Sequence, residues 1–138
     1  MLDKVLSPHS ERVYAVMRII LGALLAFHGT QKVFGFLTEQ EPSVMSQLWV
    51  GGVIELVTGS LIAAGFLTRW AAFLASGTMA VAYFQFHWKF QFDSNFFPAV
   101  NRGEPAVVYC FVFLYIAAHG GGTLSLDAIF GKKKNKDK

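Results

Sequence analysis

Residues 13–37 read VYAVMRIILGALLAFHGTQKVFGFL, and residues 47–66 read QLWVGGVIELVTGSLIAAGF. Each is about the length of apolar chain a bilayer needs, the first with some tilt. Yet the first holds His28-Gly29-Thr30-Gln31-Lys32, and the second holds one charge, Glu55. A charge at that depth costs several kcal/mol unless paired or solvated, so an ionisable residue there marks a candidate site.

The rest of the composition agrees with a membrane class. Hydrophobic residues make up 54% of the 138 and charged ones only 15%, against about 25% in a soluble domain. A fold this small has too little interior to hide so much apolar surface. Much of the net charge of +3 sits in the tail Lys132–Lys138, which reads as a membrane-flanking anchor, not a nucleic-acid arm. The single cysteine, Cys110, lies in an apolar run, where it reads as a small packed hydrophobe. The first apolar stretch is too long for a cleaved signal, holds Arg18 and is followed by further spans.

The expected organisation is an all-α integral membrane protein. Residues 1–12 form a cytoplasmic segment, with Ser7-Pro8 a stop before the first helix. Residues 13–122 hold four spans, about 13–37, 47–66, 70–88 and 104–120, and residues 123–138 an interfacial segment and polybasic tail. A polar loop with Glu39, Glu41 and Pro42 joins the first two spans. Pro105 suits a helix's first turn, where its missing N–H costs little. Short connections imply an up-down four-helix bundle. Lys4, Arg12, Arg69 and the lysine tail outnumber Lys89 and Arg102 opposite, which puts both termini in the cytoplasm. Gly22, Ala26 and Gly29, facing Gly52 and Gly59, form ridges that let helices approach closely.

Helical geometry gathers the polar groups. Arg18, Gly22, His28, Gly29 and Lys32 fall within roughly 120° of arc, and Ser76, Ala80, Tyr83 and His87 within about 60°. At 1.5 Å per residue, His28 lies roughly 13 Å, and Lys32 roughly 8 Å, below the outer end of the first span. Glu55, on a helix running the other way, lies roughly 12 Å down. His87 and Glu104 fall near the outer ends of their helices. Arg18 and His119 belong to an inner layer.

Bland readings stand beside these. Arg18 is read as snorkelling to the cytoplasmic headgroups, and Lys32 either snorkels outward or turns inward with Gly29. Glu55 is too deep for that; it is either a structural partner of Lys32 or His28, or a ligand or proton site. Trp49, Tyr83 and Trp88 fit an interfacial aromatic belt. His9 is read as solvated.

In this order and spacing the residues resemble a known family, the DoxX proteins. The likeness runs through Arg18-x-x-x-Gly22, His28-Gly29-x-x-Lys32, Gly52-x-x-Glu55-Leu56-x-x-Gly59, Gly65-x-x-Thr68-Arg69, Ala82-Tyr83 with His87, and Phe97-Pro98 through Asn101-x-Gly103-Glu104 to Tyr109. It implies a small four-span protein of the bacterial inner membrane and a redox setting. Family subunits are associated with thiosulfate:quinone oxidoreductase, and relatives are placed in membrane oxidoreductase complexes or in quinone and thiol stress responses.

The leading expectation is therefore a quinone-linked subunit. Glu55, His28 and Lys32 would handle protons, and His28, Lys32, Glu55, Tyr83, His87, Trp88, Asn101 and Glu104 would line the ligand site. With no cysteine pair, flavin or dinucleotide motif, electrons would come from a redox partner protein. A haem between His28 and His87 is disfavoured by their unequal depths, and no spacing of the His-x-x-x-His kind supports a metal. The alternatives are a non-enzymatic binder or carrier of a lipid or small hydrophobic ligand, and a structural assembly subunit with Glu55–Lys32 as internal glue. A homo-oligomer is compatible with each.

Overall fold

The computed structural model describes residues 1–39 and 43–134; Glu41 and Pro42 of the expected polar loop, and residues 135–138 of the tail, lie outside the described residues. Every regular element among the described residues is helical: α1 Leu2–Leu6, a 3-10 turn Ser7–His9, α2 Ser10–Phe34, α3 Gln47–Ala64, α4 Thr68–Ala82, a π-helical continuation Tyr83–Trp88, a 3-10 turn Ser94–Phe96, α5 Glu104–His119 and α6 Leu126–Lys134.

Local sequence explains most boundaries. Pro8 sits at the start of the 3-10 turn, where no helical N–H is required. The stop expected at Ser7-Pro8 is therefore only a tightened turn, and Leu2–Phe34 runs on as 33 helical residues. α2 ends at Gly35 (φ 65°) and α3 at Gly65 (φ 70°), left-handed positions that glycine adopts without steric cost. Both helices thus stop short of the residues 37 and 66 expected from hydropathy. Ser46 caps α3 by accepting a hydrogen bond from Trp49 N at 3.1 Å.

The glycine ridges set the packing. α2 and α3 run antiparallel with backbones in contact. A Cβ on Gly22 would lie 2.5 Å from Ala63 N, one on Gly29 2.4 Å from Leu56 N, and one on Gly59 2.4 Å from Ala26 N. α3 packs on α4, and α4 on an antiparallel α5. There, Ser76 Oγ donates to Cys110 O at 2.8 Å. Leu25, Ile62, Ala72, Ala75, Met79, Phe113 and Ile116 fill the centre. The outer faces are apolar too, with Ile20, Leu24, Val57, Phe73, Val108 and Phe111 exposed. Helices apolar on all sides belong in a large core or in lipid. α1–α2 and α3 are long and apolar enough to cross a membrane, whereas α5 is apolar but shorter.

One expectation is corrected. Arg18 does not snorkel; it is 1% exposed. Its guanidinium donates to Ile62 O, to Ala63 O at 2.8 Å and to Leu124 O at 2.6 Å. Carbonyls in the last turn of a helix lack intrahelical donors and carry the negative end of its dipole, which makes them a natural seat for a cation. Beside this clasp, Asp127 caps α4. Its carboxylate accepts from Leu67 N (2.9 Å), Thr68 N (2.9 Å) and Thr68 Oγ1 (2.7 Å). Burial would raise the Asp127 carboxyl, but these hydrogen bonds and the Arg18 charge outweigh it and hold it below its ordinary value.

Candidate functional site

The seam that joins α2 to α3 also builds the site. Gly29 lets the last turn of α2 lie on α3. Gly52 leaves room for the Lys32 stem, since a Cβ there would fall 2.5 Å from Lys32 Cβ. The lysine then crosses α3 to Glu55, and Nζ lies 2.5 Å from Oε1. The Glu55 side chain is 3% exposed and that of Lys32 29%. The other carboxylate oxygen, Oε2, is buried with no hydrogen-bond partner among the described residues. An unsatisfied buried polar atom costs about 1–3 kcal/mol, more when charged.

Two hollows meet at this pair. Between α3 and α4 runs a groove of about 390 Å³, walled by Leu48, Ile54, Phe73, Val81 and Phe86, with Lys32, Gln47, Glu55 and Thr78 as its polar lining. Gly51 and Gly77 also line it, and a Cβ at either would meet nothing within 4 Å. A smaller chamber of about 150 Å³ is lined by His28, Lys32, Glu55, His87 and Tyr109 together with apolar neighbours.

The structure thus brings His28, Lys32, Glu55 and His87 together around one small space. The other candidates lie elsewhere. Tyr83 stacks on Trp88 at 6.4 Å between centroids, and its hydroxyl donates to Phe96 O. Trp88 Nε1 donates to Gln91 O at 2.8 Å, within a cluster that includes Phe84, Phe90, Phe92 and Phe96. Glu104 is exposed at the first turn of α5. None of these three lines either hollow.

Asn101 is held within its loop. Its Nδ2 donates to Asn95 O at 2.8 Å, and its Oδ1 accepts from Gly103 N at 2.7 Å. Its backbone carbonyl faces His87 Nδ1 at 3.2 Å. A carbonyl can only accept, so Nδ1 is the donor in this contact. Asn101 therefore positions the ring of a chamber residue through its backbone without entering the chamber.

The groove walls Ile54, Phe73 and Phe86 escape sequence reasoning because apolar residues on apolar helices carry no contrast. Gly51 and Gly77 were the available signal, being glycines with no helix to approach. Among the described residues no group of three histidines, cysteines or acids lies close enough to hold a metal.

These features define a class: all-helical proteins, apolar outside as well as inside, with an acid and an amine paired between two tightly seamed helices. The chain belongs to the DoxX family, whose family model matches residues 13–88. That match takes in α2, α3, α4 and all of Lys32, Glu55, His28 and His87. An uncharacterized protein of Haemophilus influenzae is 40% identical over 123 residues, covering 86% of this chain and 91% of that protein. No solved structure matches.

Proposed function

We propose that this DoxX-family chain is a quinone-linked subunit of a membrane oxidoreductase complex. In this reading α2 to α5 form an up-down four-helix bundle across the bacterial inner membrane, over residues 13–122. Both termini are cytoplasmic. The Arg18, Arg69 and Asp127 layer and the lysines beyond it mark the inner side; Glu39, Asp93 and Glu104 mark the outer.

The observation that carries the reading is the Lys32–Glu55 pair, lining a mostly apolar groove with one oxygen unsatisfied. A quinone has a long apolar tail and a ring whose oxygens need hydrogen bonds. The groove suits the tail, Phe73 and Phe86 offer aromatic walls, and Lys32 offers N–H donors to a ring oxygen. The orphaned Glu55 oxygen is where a proton can be held, with the His87 ring lining the same chamber. When bound, a quinone supplies two-electron, two-proton chemistry; the chain's part is to orient the ring and hold protons beside it. Electrons come from a partner protein, since one cysteine makes no thiol pair.

The test is solvent extraction and mass spectrometry of full-length protein purified from its native membrane. A quinone near one per chain is expected, lost on filling the groove with Gly77→Leu, which meets no packed neighbour. Phospholipid in its place would favour a lipid binder or carrier. An empty groove would leave the pair as glue in an assembly subunit.

A further inference from the structure

The donor and acceptor inventory of the site is lopsided. Once Lys32 and Glu55 are paired, the lysine keeps two N–H donors and the carboxylate keeps Oε2, which only accepts. His87 is already engaged through Nδ1 with Asn101 O at 3.2 Å. Of the remaining chamber groups, the Tyr109 hydroxyl and the His28 ring line the space without giving Oε2 a hydrogen bond. The site has one buried acceptor, Glu55 Oε2, that no group among the described residues supplies with a hydrogen.

We infer that this site selects the reduced, hydroxyl-bearing form of its ligand, a long-chain hydroquinone, over the oxidised quinone. The ligand class rests on the quinone-linked reading; the oxidation state rests on the orphaned Glu55 oxygen. A quinone oxygen can take a hydrogen bond from Lys32 but brings none to Glu55, and it sets a second lone pair against a buried carboxylate. A hydroquinone hydroxyl does both at once, accepting from Lys32 Nζ and donating to Oε2 as the Glu55 side chain turns toward it. An O–H donor to an ionised oxygen is among the stronger hydrogen bonds. Sites built to hydrogen-bond a hydroxyl reject analogues that lack it by far more than apolar pockets reject a missing methylene. The groove, being apolar, holds the tail of either form equally, so the discrimination lies at the pair.

The experiment uses the full chain in lipid nanodiscs under anaerobic conditions. Five probes are compared by competition: decylubiquinol, decylubiquinone, the dimethyl ether of decylubiquinol, 4-dodecylphenol and the methyl ether of 4-dodecylphenol. Decylubiquinol is expected to bind at least about ten-fold tighter than the quinone or the ether. In Glu55→Gln, whose amide brings a donor as well as an acceptor, the gap should close to within about two-fold, mainly through tighter quinone binding. Gly77→Leu should weaken both forms alike.

Equal binding of quinol, quinone and ether by the unaltered chain would overturn the selection and leave the quinone reading standing; that comparison needs no variant. Persistence of the gap in folded Glu55→Gln would also overturn it. If no quinoid binds but dodecylphenol outbinds its ether, the hydroxyl selection stands and the quinone reading falls. Failure of all probes rejects both.

Discussion

Lys32 and Glu55, 23 positions apart, form a 2.5 Å ion pair in which the acid is sealed from solvent and the amine is not. The asymmetry means the two residues are not equivalent partners. Removing the lysine strands a buried carboxylate, whereas removing both takes away the charge with its desolvation cost.

Lys32→Met should therefore destabilise the protein by about 3–5 kcal/mol, and Lys32→Met with Glu55→Leu should recover most of that loss. A double-mutant cycle on unfolding in detergent measures it. Additive losses would show that the pair carries no coupling.

The helix seam makes a second prediction. Gly29→Ala and Gly59→Ala place a methyl about one ångström inside contact distance of the facing backbone, and each should cost about 1–3 kcal/mol by overpacking. Gly51→Ala and Gly77→Ala point into open space and should be neutral or stabilising by up to about 1 kcal/mol through helix propensity. Thermal unfolding of the four variants separates the two groups.

Arg18 binds three carbonyls on two segments. Lysine offers a point charge in place of a planar fork. Arg18→Lys should loosen the link from α3 to Leu124, and amide hydrogen exchange should quicken across residues 120–130. Unchanged protection there would mean that Asp127 alone holds the segment.

Asp127 gives the pH dependence. Its folded pKa lies below the ordinary 3.8. It therefore contributes stability that is present above the unfolded value and lost as pH falls through the folded one. The stability difference between the unaltered chain and Asp127→Asn should be flat at neutral pH and shrink below about pH 4. A difference that grows in acid would contradict the capping role.

Much of this was readable along the chain. Hydropathy and the 3.6-residue period foretold helices close to α2, α3 and α5. The spacing of Gly22 and Gly29 against Gly52 and Gly59 foretold which faces meet. Depth along two opposed helices put Glu55 level with His28 and left Lys32 or His28 as its partner; the tertiary structure pairs it with Lys32. Trp49, Tyr83 and Trp88 read as an interfacial belt; in the structure Tyr83 and Phe96 both pack on Trp88.

Arg18 shows where that reading stops. A cation near a helix end looks the same whether it reaches for headgroups or for buried carbonyls, and its acceptors lie 44 and 106 positions away. Asn101 is similar: a polar loop residue named beside a site turned out to position His87 through its backbone.

Periodicity, small-residue ridges and charge bias belong to single helices, so the chain alone was enough for the helical class and the α2–α3 seam, and it narrowed the partner of Glu55 to Lys32 or His28. The groove, the chamber and the unsatisfied Glu55 oxygen exist only between helices. Their presence depends on how far α3 and α4 splay and on which neighbours reach a given atom, and no one-dimensional pattern encodes that separation.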